Sequence, residues 1–278
     1  MSDVETLEET LLARFGEQFK VPAAIGGRDE LLRMARRRVH RHFLARDIEE
    51  DLLRLLCACA LSAPSKSDLQ QGDILIVRDR GKRARIAAML PGMPWAGEAP
   101  VFLVFLANGR RLPQLAQLRG KPFANDHFDL LFNATVDAAI VLATFLRAAD
   151  AVGLGCCPIS VIRDRAGELS ELLDLPEKVI PVAGLCVGWP AEEGAITPRL
   201  SLATTVHRDR FADADLADQL EAYDRRRAAQ RPYREQRAVE RFGRKEFYGW
   251  SEDKARQYAV AQRADFGAFV RAKGFHLD

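Results

Sequence analysis

The segment 133–152 constrains the fold of this chain more than any other part of its sequence. It is apolar nearly all round at helical spacing, and only Asp137, Arg147 and Asp150 interrupt it. A helix without a polar face has to be buried in a core or in a subunit interface. The sequence therefore predicts a long helix at the centre of a packed domain, and Gly153 fits the position that ends it.

Short apolar runs and helical spacing predict the remaining elements. Runs bounded by polar residues, Pro or Gly predict strands at 73–77, 101–106, 156–161 and 179–189. Helical spacing and capping residues predict four helices. The first has Asp29 as its N-cap residue, and the others span about 47–63, 164–173 and 251 to about 273. The sequence therefore predicts an α+β fold in which helices flank a mixed central sheet, with an extended C-terminal arm beyond residue 190.

Composition and charge exclude several classes of protein. With 48% hydrophobic and 29% charged residues, the chain of 278 residues is neither disordered nor collagen-like, and a net charge of +2 gives no general attraction for nucleic acid. The longest uncharged apolar stretch, 138–146, is too short to span a membrane, and no secretory signal is recognisable at the N-terminus. Five cysteines, read as small buried residues, favour reduced thiols. We expect a soluble cytoplasmic protein with no membrane partner.

The common signature motifs are missing. The sequence 153–157 has no third glycine to complete a dinucleotide fingerprint, and there is no phosphate loop of the GxxxxGK type. No second ligand pair accompanies His40 and His42, so no metal site is expected. No arrangement of Ser, His and Asp points to acyl transfer.

Two polar segments could form a binding site for an anion and a flat ring. The basic segment 36–42 contains four arginines, and guanidinium groups bind phosphate through paired charge-assisted hydrogen bonds. The segment 63–70 offers hydroxyl and amide groups that could bind a polyol and a heteroaromatic edge. Each segment also has a simpler interpretation when it is taken alone. The segment 36–42 could be a solvated helix end whose cations face the negative end of the helix dipole, and 63–70 could be an ordinary polar loop.

An ordered series of motifs decides between these interpretations. It comprises Gly153-Leu154-Gly155, Leu175-Pro176, the run PVAGLCVGWP at 181–190, Pro198-Arg199-Leu200 and Val206-His207. In this order and spacing the series resembles the nitroreductase superfamily, in particular its NADPH-dependent, oxygen-insensitive nitroreductase and flavin reductase branch. The resemblance covers about residues 33–275. It implies a nitroreductase-like FMN-binding fold and a homodimer, divided into an N-terminal extension (1–28), an FMN-binding core (29–211) and a C-terminal helical arm (212–278).

The resemblance also implies individual cofactor contacts. For FMN these are Arg37, Arg38, Val39, Arg41, Ser65, Lys66, Ser67, Gln70, Pro158, Ile159, Ser160 and Arg199, and for the NADPH phosphate Arg241. The chain departs from the family pattern at five places. Val39 replaces a serine, His40 an isoleucine, Met93 a glutamine and Thr197 a lysine, and 158–161 lacks two glycines. No catalytic side chain is implied, because the flavin carries the chemistry.

The implied function is FMN-dependent transfer of hydride from NAD(P)H to an electron-poor acceptor, by a ping-pong mechanism. The acceptor could be a nitroaromatic, a quinone or a flavin. One alternative is a degenerate FMN-binding relative with a specific unknown acceptor. Another is a non-enzymatic protein that binds nucleic acid through the basic segment 225–245, although Asp224, Glu235 and Glu240 interleave with its arginines and the near-zero net charge disfavours it.

Overall fold

The computed structural model describes residues 6–278, and its contacts separate the chain into two compact units. Met1–Arg37, described from Thr6 onward, and Ala195–Gln262 form what we call the helical unit. Arg38–Gly194 and Arg263–Asp278 form the sheet unit. The division into 1–28, 29–211 and 212–278 separates segments by their implied roles rather than by contacts, and it stays a prediction.

The described residues form twelve α-helices and four strands. The helices are α1 Leu7–Phe15, α2 Arg28–Arg36, α3 Glu50–Leu61, α4 Arg80–Ala88, α5 Arg111–Leu118, α6 Phe128–Ala151, α7 Ala166–Leu172, α8 Leu202–Thr205, α9 Leu216–Gln230, α10 Val239–Phe242, α11 Trp250–Tyr258 and α12 Phe266–Ala272. The strands are β1 Gly72–Val77, β2 Val101–Asn108, β3 Gly155–Ile159 and β4 Val179–Gly188. All four strands belong to the sheet unit, and the α+β class is confirmed.

The sheet has the order β1-β2-β4-β3, and each of the three pairings is antiparallel. The prediction of a mixed sheet is therefore wrong for the described residues. An apolar run identifies a buried strand but carries no information about its direction. β2 lies at the centre, with seven of its eight residues buried, and it separates the two main clusters of the core.

Helix α6 is the long apolar helix that the sequence predicts, and it begins five residues earlier than expected. It spans 24 residues and packs on β1, β2 and α3, with the Phe145 ring 5.9 Å from the Phe105 ring. Gly153 follows its end with a left-handed φ of 80°. Among the described residues, α6 is the one helix whose length and composition would suffice to cross a membrane. Because α6 packs on the sheet, we interpret it as a core helix that happens to have the length and composition of a membrane-spanning one.

Two other expectations are corrected by the structure. The last helix is not continuous from 251 to 273, because α11 ends at Tyr258 and α12 begins at Phe266 after Arg263 adopts a left-handed φ of 54°. Asp29 is not the N-cap of α2: it lies in the first turn, and Gly27 caps the helix with a φ of 68° that suits glycine.

The expectation that all five cysteines are buried is wrong for two of them. Cys156, Cys157 and Cys186 are buried in the sheet unit, whereas Cys57 is half-buried and Cys59 is exposed on α3. Residues two apart on a helix point in different directions, so one thiol of such a pair can reach solvent while the other packs. Burial raises the pKa of the Cys57 thiol to about 11, with Glu50 adding to the rise.

Candidate functional site

The basic segment continues from α2 into an extended stretch that is fixed to the sheet. The His40 backbone N–H donates to the Cys156 carbonyl at 3.1 Å, and the Leu44 N–H donates to the Trp189 carbonyl at 2.8 Å. Phe43 forms a bridge with Pro190. Residues 39–44 therefore run beside the ends of β3 and β4, which holds Arg38, Val39 and Arg41 at one edge of the sheet unit.

The three predicted phosphate residues of this stretch have different environments. The Arg38 guanidinium forms an ion pair with Glu193, and its side chain is only 13% exposed while that of Glu193 is 84% exposed. Arg41 is exposed, its guanidinium lies 5.6 Å from the Trp95 ring, and no carboxylate partner of Arg41 is present among residues 6–278. Val39 packs against the core, so it can offer a ligand only its backbone.

A buried carboxylate on α6 fixes the predicted flavin loop. Asp137, which is 2% exposed, accepts hydrogen bonds from the Ser65 hydroxyl at 2.7 Å, the Lys66 N–H at 3.2 Å and the Gln71 N–H at 2.9 Å. The Ser65 oxygen in turn accepts from the Gln70 N–H at 2.7 Å. One acidic side chain thereby holds both ends of the loop 65–71.

The same loop contains backbone strain. Ser67, Asp68 and Gln70 have φ values of 50°, 58° and 51°, in the left-handed region that non-glycine residues rarely adopt. Such strain costs of order 1–3 kcal/mol per residue and persists where surrounding contacts enforce it. The bonds to Asp137 are the contacts that enforce it here, and concentrated strain of this kind is typical of ligand-binding segments.

The side chains of the loop face two different cavities of the sheet unit. Ser65 and Gln70 line a cavity of about 610 Å³ that also includes Asp137. Lys66 lines a separate cavity of about 470 Å³ and forms an ion pair with Asp129 at 3.4 Å. Ser67 is exposed. The loop thus presents hydroxyl and amide groups on one side and a cation on the other.

The end of β3, predicted to pass under the flavin ring, offers few groups to a ligand. Ile159 is 2% exposed and packs in the core, and Pro158 has no N–H to donate. Ser160 is exposed and is the N-cap residue of a short 3-10 helix, so its hydroxyl is the polar group available at this position. Neither of the family's glycines is present to allow close approach of the backbone.

In the helical unit, the structure brings together two of the predicted phosphate arginines. Arg37 and Arg199 both line a cavity of about 700 Å³. Arg241 does not line it: its guanidinium lies 4.9 Å from the Phe242 ring and donates to the Ala259 carbonyl at 3.4 Å.

Sequence reasoning missed the residue that fixes the segments carrying Arg37 and Arg199. Arg14 on α1 is 7% exposed and donates to the carbonyls of Ala35 at 2.9 Å, Arg37 at 2.7 Å and Thr197 at 3.2 Å. Its own carbonyl accepts from the Arg199 N–H at 2.7 Å. Nothing in the sequence around Arg14 distinguishes it from a surface arginine. Asp137, by contrast, was detectable as a carboxylate in an otherwise apolar helix.

Comparisons with known proteins agree over nearly the whole chain. The model described as "Nitroreductase family" matches residues 34–189, and that described as "Nitroreductase family, C-terminal domain" matches residues 197–278. The Bacillus subtilis protein named FMN reductase (NAD(P)H) is 30% identical over 241 residues, which cover 86% of this chain and 94% of that protein. The oxygen-insensitive NADPH nitroreductase of Salmonella typhimurium is 32% identical over 175 residues, covering 63% and 71%. The solved structure of B. megaterium NfrA2 has a TM-score of 0.81 at 29% identity, covering 90% of this chain and 99% of that one.

Proposed function

This chain belongs to the nitroreductase family, and on that basis we propose that it is an FMN-dependent oxidoreductase that passes hydride from NAD(P)H to an electron-poor small-molecule acceptor. The observation that carries the proposal is the similarity, over 94% of its length, to a protein named FMN reductase (NAD(P)H). The Salmonella relative, named an NADPH nitroreductase, supports NADPH as the donor and a nitroaromatic as one class of acceptor. A ping-pong cycle, in which donor and acceptor use the same place in turn, is part of the proposal.

The side chains present fit a flavin phosphate. The Arg38 guanidinium donates to the Glu193 carboxylate, so it is placed to bind an anionic oxygen, and a phosphate there would replace the carboxylate. Arg41 has no carboxylate partner among residues 6–278, so a phosphate could bind it without displacing one. The loop 65–71 supplies the Ser65 hydroxyl, which Asp137 holds in a fixed position.

The individual contacts are part of this proposal. In the sheet unit we assign FMN contacts to Arg38, Val39, Arg41, Ser65, Lys66, Ser67, Gln70, Pro158, Ile159 and Ser160. In the helical unit we assign a role in phosphate binding to Arg37 and Arg199, and the NADPH phosphate to Arg241.

FMN, when bound, supplies the group that takes up and gives away hydride. The chain itself binds and orients. Guanidinium groups neutralise the phosphate, the strained loop presents its hydroxyl and amide groups, and Lys66 contributes a positive charge that Asp129 partly compensates. Because the flavin carries the chemistry, the chain needs no pair of side chains for proton transfer. This agrees with a sequence in which no arrangement of Ser, His and Asp points to a hydrolase.

We also propose that the protein is a homodimer in the cytoplasm. Large apolar side chains remain exposed on neighbouring helices of the sheet unit: Leu55 and Leu61 on α3, and Phe128, Phe132 and Val136 on α6. Phe128, Phe132 and Val136 follow each other at four-residue spacing, so they form one stripe that a second copy could cover. The cytoplasmic location is supported by five free thiols and no disulfide among the described residues.

The basic segment 225–245 does not favour the nucleic-acid alternative. Arg225 pairs with Glu221, and Arg237 pairs with the buried Asp253 at 3.0 Å. Arg226 donates to the carbonyls of Arg14 and Arg199. These three arginines have partners within the helical unit, so we do not propose nucleic acid as a partner.

The test is to record the visible spectrum of the purified protein and of the protein incubated with FMN. NADPH oxidation is then followed with a nitroaromatic, a quinone or free FMN as acceptor, with NADH as the comparison donor. We expect a bound flavin spectrum and acceptor-dependent oxidation. A protein that stays colourless after reconstitution would refute the proposal, and one that binds FMN without turnover would identify the degenerate relative.

A further inference from the structure

Helix α5 of the sheet unit has an apolar face that borders a cavity. Its eight residues include three leucines, yet none of its residues is buried. Leu112, Leu115 and Ala116 recur at the spacing of one helical face and line the cavity of about 470 Å³ that also includes Lys66. Helices in proteins owe most of their stability to the packing of such a face. A ligand that fills the cavity would therefore complete the packing of α5.

The other apolar walls of the cavity continue into the core of the sheet unit. Leu69, Phe123 and Leu130 line it. Leu130 is only 4% exposed, and it packs in one cluster with Phe123 and Phe275. The volume lies within the range of about 300–1,000 Å³ that is typical of small-molecule sites. The cavity thus has room and apolar surface for the body of an aromatic compound.

The charges along the cavity leave two cations uncompensated. Lys66 and Asn133 both contact Asp129, at 3.4 Å and 2.7 Å, and the hydrogen bond from Asn133 lowers the pKa of this carboxyl, with Lys66 adding to the effect. Arg119 and Lys121 also line the cavity, and neither has a carboxylate partner within residues 6–278. Since Asp129 compensates Lys66, the two remaining positive charges favour an anionic group on the ligand.

A buried amide lines the same cavity without a donor for its oxygen. Gln71 is 0% exposed, its Nε2 donates to the Asn108 carbonyl at a long 3.5 Å, and its Oε1 has no hydrogen-bond partner in the described part of the chain. Buried acceptors of this kind are rare and unfavourable. The terminal torsion of a glutamine is soft, so the amide can turn toward a hydroxyl or amino group in the cavity. The unpartnered oxygen therefore favours a ligand that carries a hydrogen-bond donor.

We propose that this cavity binds an aromatic carboxylic acid that carries a hydroxyl or amino group. The carboxylate binds Arg119 and Lys121, the ring packs on the apolar face of α5, and the hydroxyl or amino group donates to Gln71 Oε1. The inference goes beyond the proposed function and does not depend on it. Lys66 is the one residue of the cavity to which an FMN contact is assigned.

The test measures binding of 6-hydroxy-2-naphthoate to the full chain by calorimetry, with and without prior incubation with FMN. Two further probes separate the polar contacts, because 2-naphthoate lacks the hydroxyl donor and 2-naphthol lacks the carboxylate. Arg119→Gln removes a guanidinium of the cavity. Arg85→Gln, at an exposed arginine of α4 outside the cavity, is the matched control.

Two other variants test the remaining contacts. Gln71→Met removes the buried amide at nearly constant size, and Ala116→Phe fills the cavity from α5 without removing a polar group. Far-ultraviolet circular dichroism of each variant checks that it is folded.

We expect 6-hydroxy-2-naphthoate to bind more tightly than either of the other probes. Arg119→Gln should weaken the binding of both acids about fivefold, as expected for a partly exposed ion pair, and should leave 2-naphthol unchanged. Gln71→Met should make the two acids bind equally, and Ala116→Phe should abolish binding of all three probes. Arg85→Gln should behave as wild type.

The inference is overturned if wild type binds neither acid, or if Arg119→Gln and Arg85→Gln bind the acids equally well. An acid that changes the visible spectrum of bound FMN and binds every variant alike occupies the flavin site, and this result also overturns it. Failure of wild type to bind FMN would count against the proposed function alone, because the acids are measured without FMN as well.

Discussion

At the scale of single residues, Asp137 and Asp253 are two of the three buried carboxylates in residues 6–278, and each holds a polar segment in place. Asp137 holds the loop 65–71 of the sheet unit, and Asp253 joins Arg237, Tyr248 and Lys254 in the helical unit. Each is 1–2% exposed, and a carboxylate so placed is stable only if its oxygens accept several hydrogen bonds. Both carboxylates therefore contribute by fixing the positions of the segments that donate hydrogen bonds to them.

Replacing Asp137 by Asn should loosen the loop 65–71. The amide keeps the size of the side chain but loses the negative charge, and one of its two terminal atoms can only donate. The three donors that it faces are then incompletely satisfied, at about 1–3 kcal/mol of stability. Because three left-handed residues of the loop depend on those bonds, FMN binding should weaken as well. Denaturant unfolding and FMN titration measure the two effects.

The control for this prediction is Asp129→Asn, on the same helix but exposed. Its ion pair with Lys66 lies at the surface, where such pairs contribute about 0–1 kcal/mol. Equal losses of stability and of FMN affinity in both variants would contradict a special role for Asp137.

Asp253 gives the helical unit an acid-sensitive contact. Burial raises its pKa, but hydrogen bonds from Lys254 and Tyr248 outweigh this, and the pKa lies below its ordinary value. A lowered pKa in the folded state stabilises the protein above the unfolded value of about 3.9, and the contribution is lost as pH falls through the folded pKa. Asp253→Asn should therefore be less stable at neutral pH and should lose less of its stability on acidification. Urea unfolding from neutral pH to about pH 3 tests this, and parallel pH profiles for wild type and variant would contradict it.

At the scale of elements, α1 lies before residues 34–189, the first region that matches the family, yet it supports the segments of the proposed phosphate residues Arg37 and Arg199. Its Arg14 donates to the segments that carry Arg37 and Arg199, and its Glu17 accepts from the Leu202 N–H at 2.8 Å just beyond its end. α1 thereby connects α2 with the segment 197–202 inside the helical unit.

Arg14→Met should destabilise the protein strongly. It keeps an apolar stem but leaves three carbonyls without their donor, and each such loss costs about 1–3 kcal/mol unless water enters. Arg28→Met is the control, because Arg28 joins α1 to α2 through a partly exposed pair with Glu8 at 2.7 Å. Thermal unfolding should show a clearly larger loss for Arg14→Met, and equal losses would refute the role given to Arg14.

The elements also indicate what the sequence could predict. The long core helix was predictable because its apolar residues leave no polar face, and the four strands were predictable from bounded apolar runs. The direction of the strands and the break between α11 and α12 were not, because strand pairing and the left-handed residue at Arg263 depend on tertiary contacts. The basic segment and the loop 65–70 became interpretable only through motifs far away in the sequence.

At the scale of the whole molecule, the exposed apolar stripe on α6 predicts self-association. Light scattering should give a mass twice the 31.0 kDa of the chain. Phe132→Glu places a charge at the centre of the stripe and should shift the protein toward monomer. Leu118→Glu on α5, at a side chain that is 82% exposed, should leave the mass unchanged. A monomeric wild type, or a dimer unaffected by Phe132→Glu, would contradict the dimer.

In the proposed function, guanidinium groups hold the phosphate of FMN, and the affinities for FMN and riboflavin measure their contribution. These two ligands share the ring and the ribityl chain and differ only in the phosphate. Arg41→Gln should weaken FMN binding about 10- to 100-fold, as expected for one charge-assisted bond of about 1.5–3 kcal/mol, and should leave riboflavin unchanged. Arg46→Gln, which removes an exposed guanidinium stacked 3.9 Å from Trp189, should bind both as wild type does. Equal affinities of the wild-type protein for FMN and riboflavin would refute the proposed binding of the phosphate by guanidinium groups.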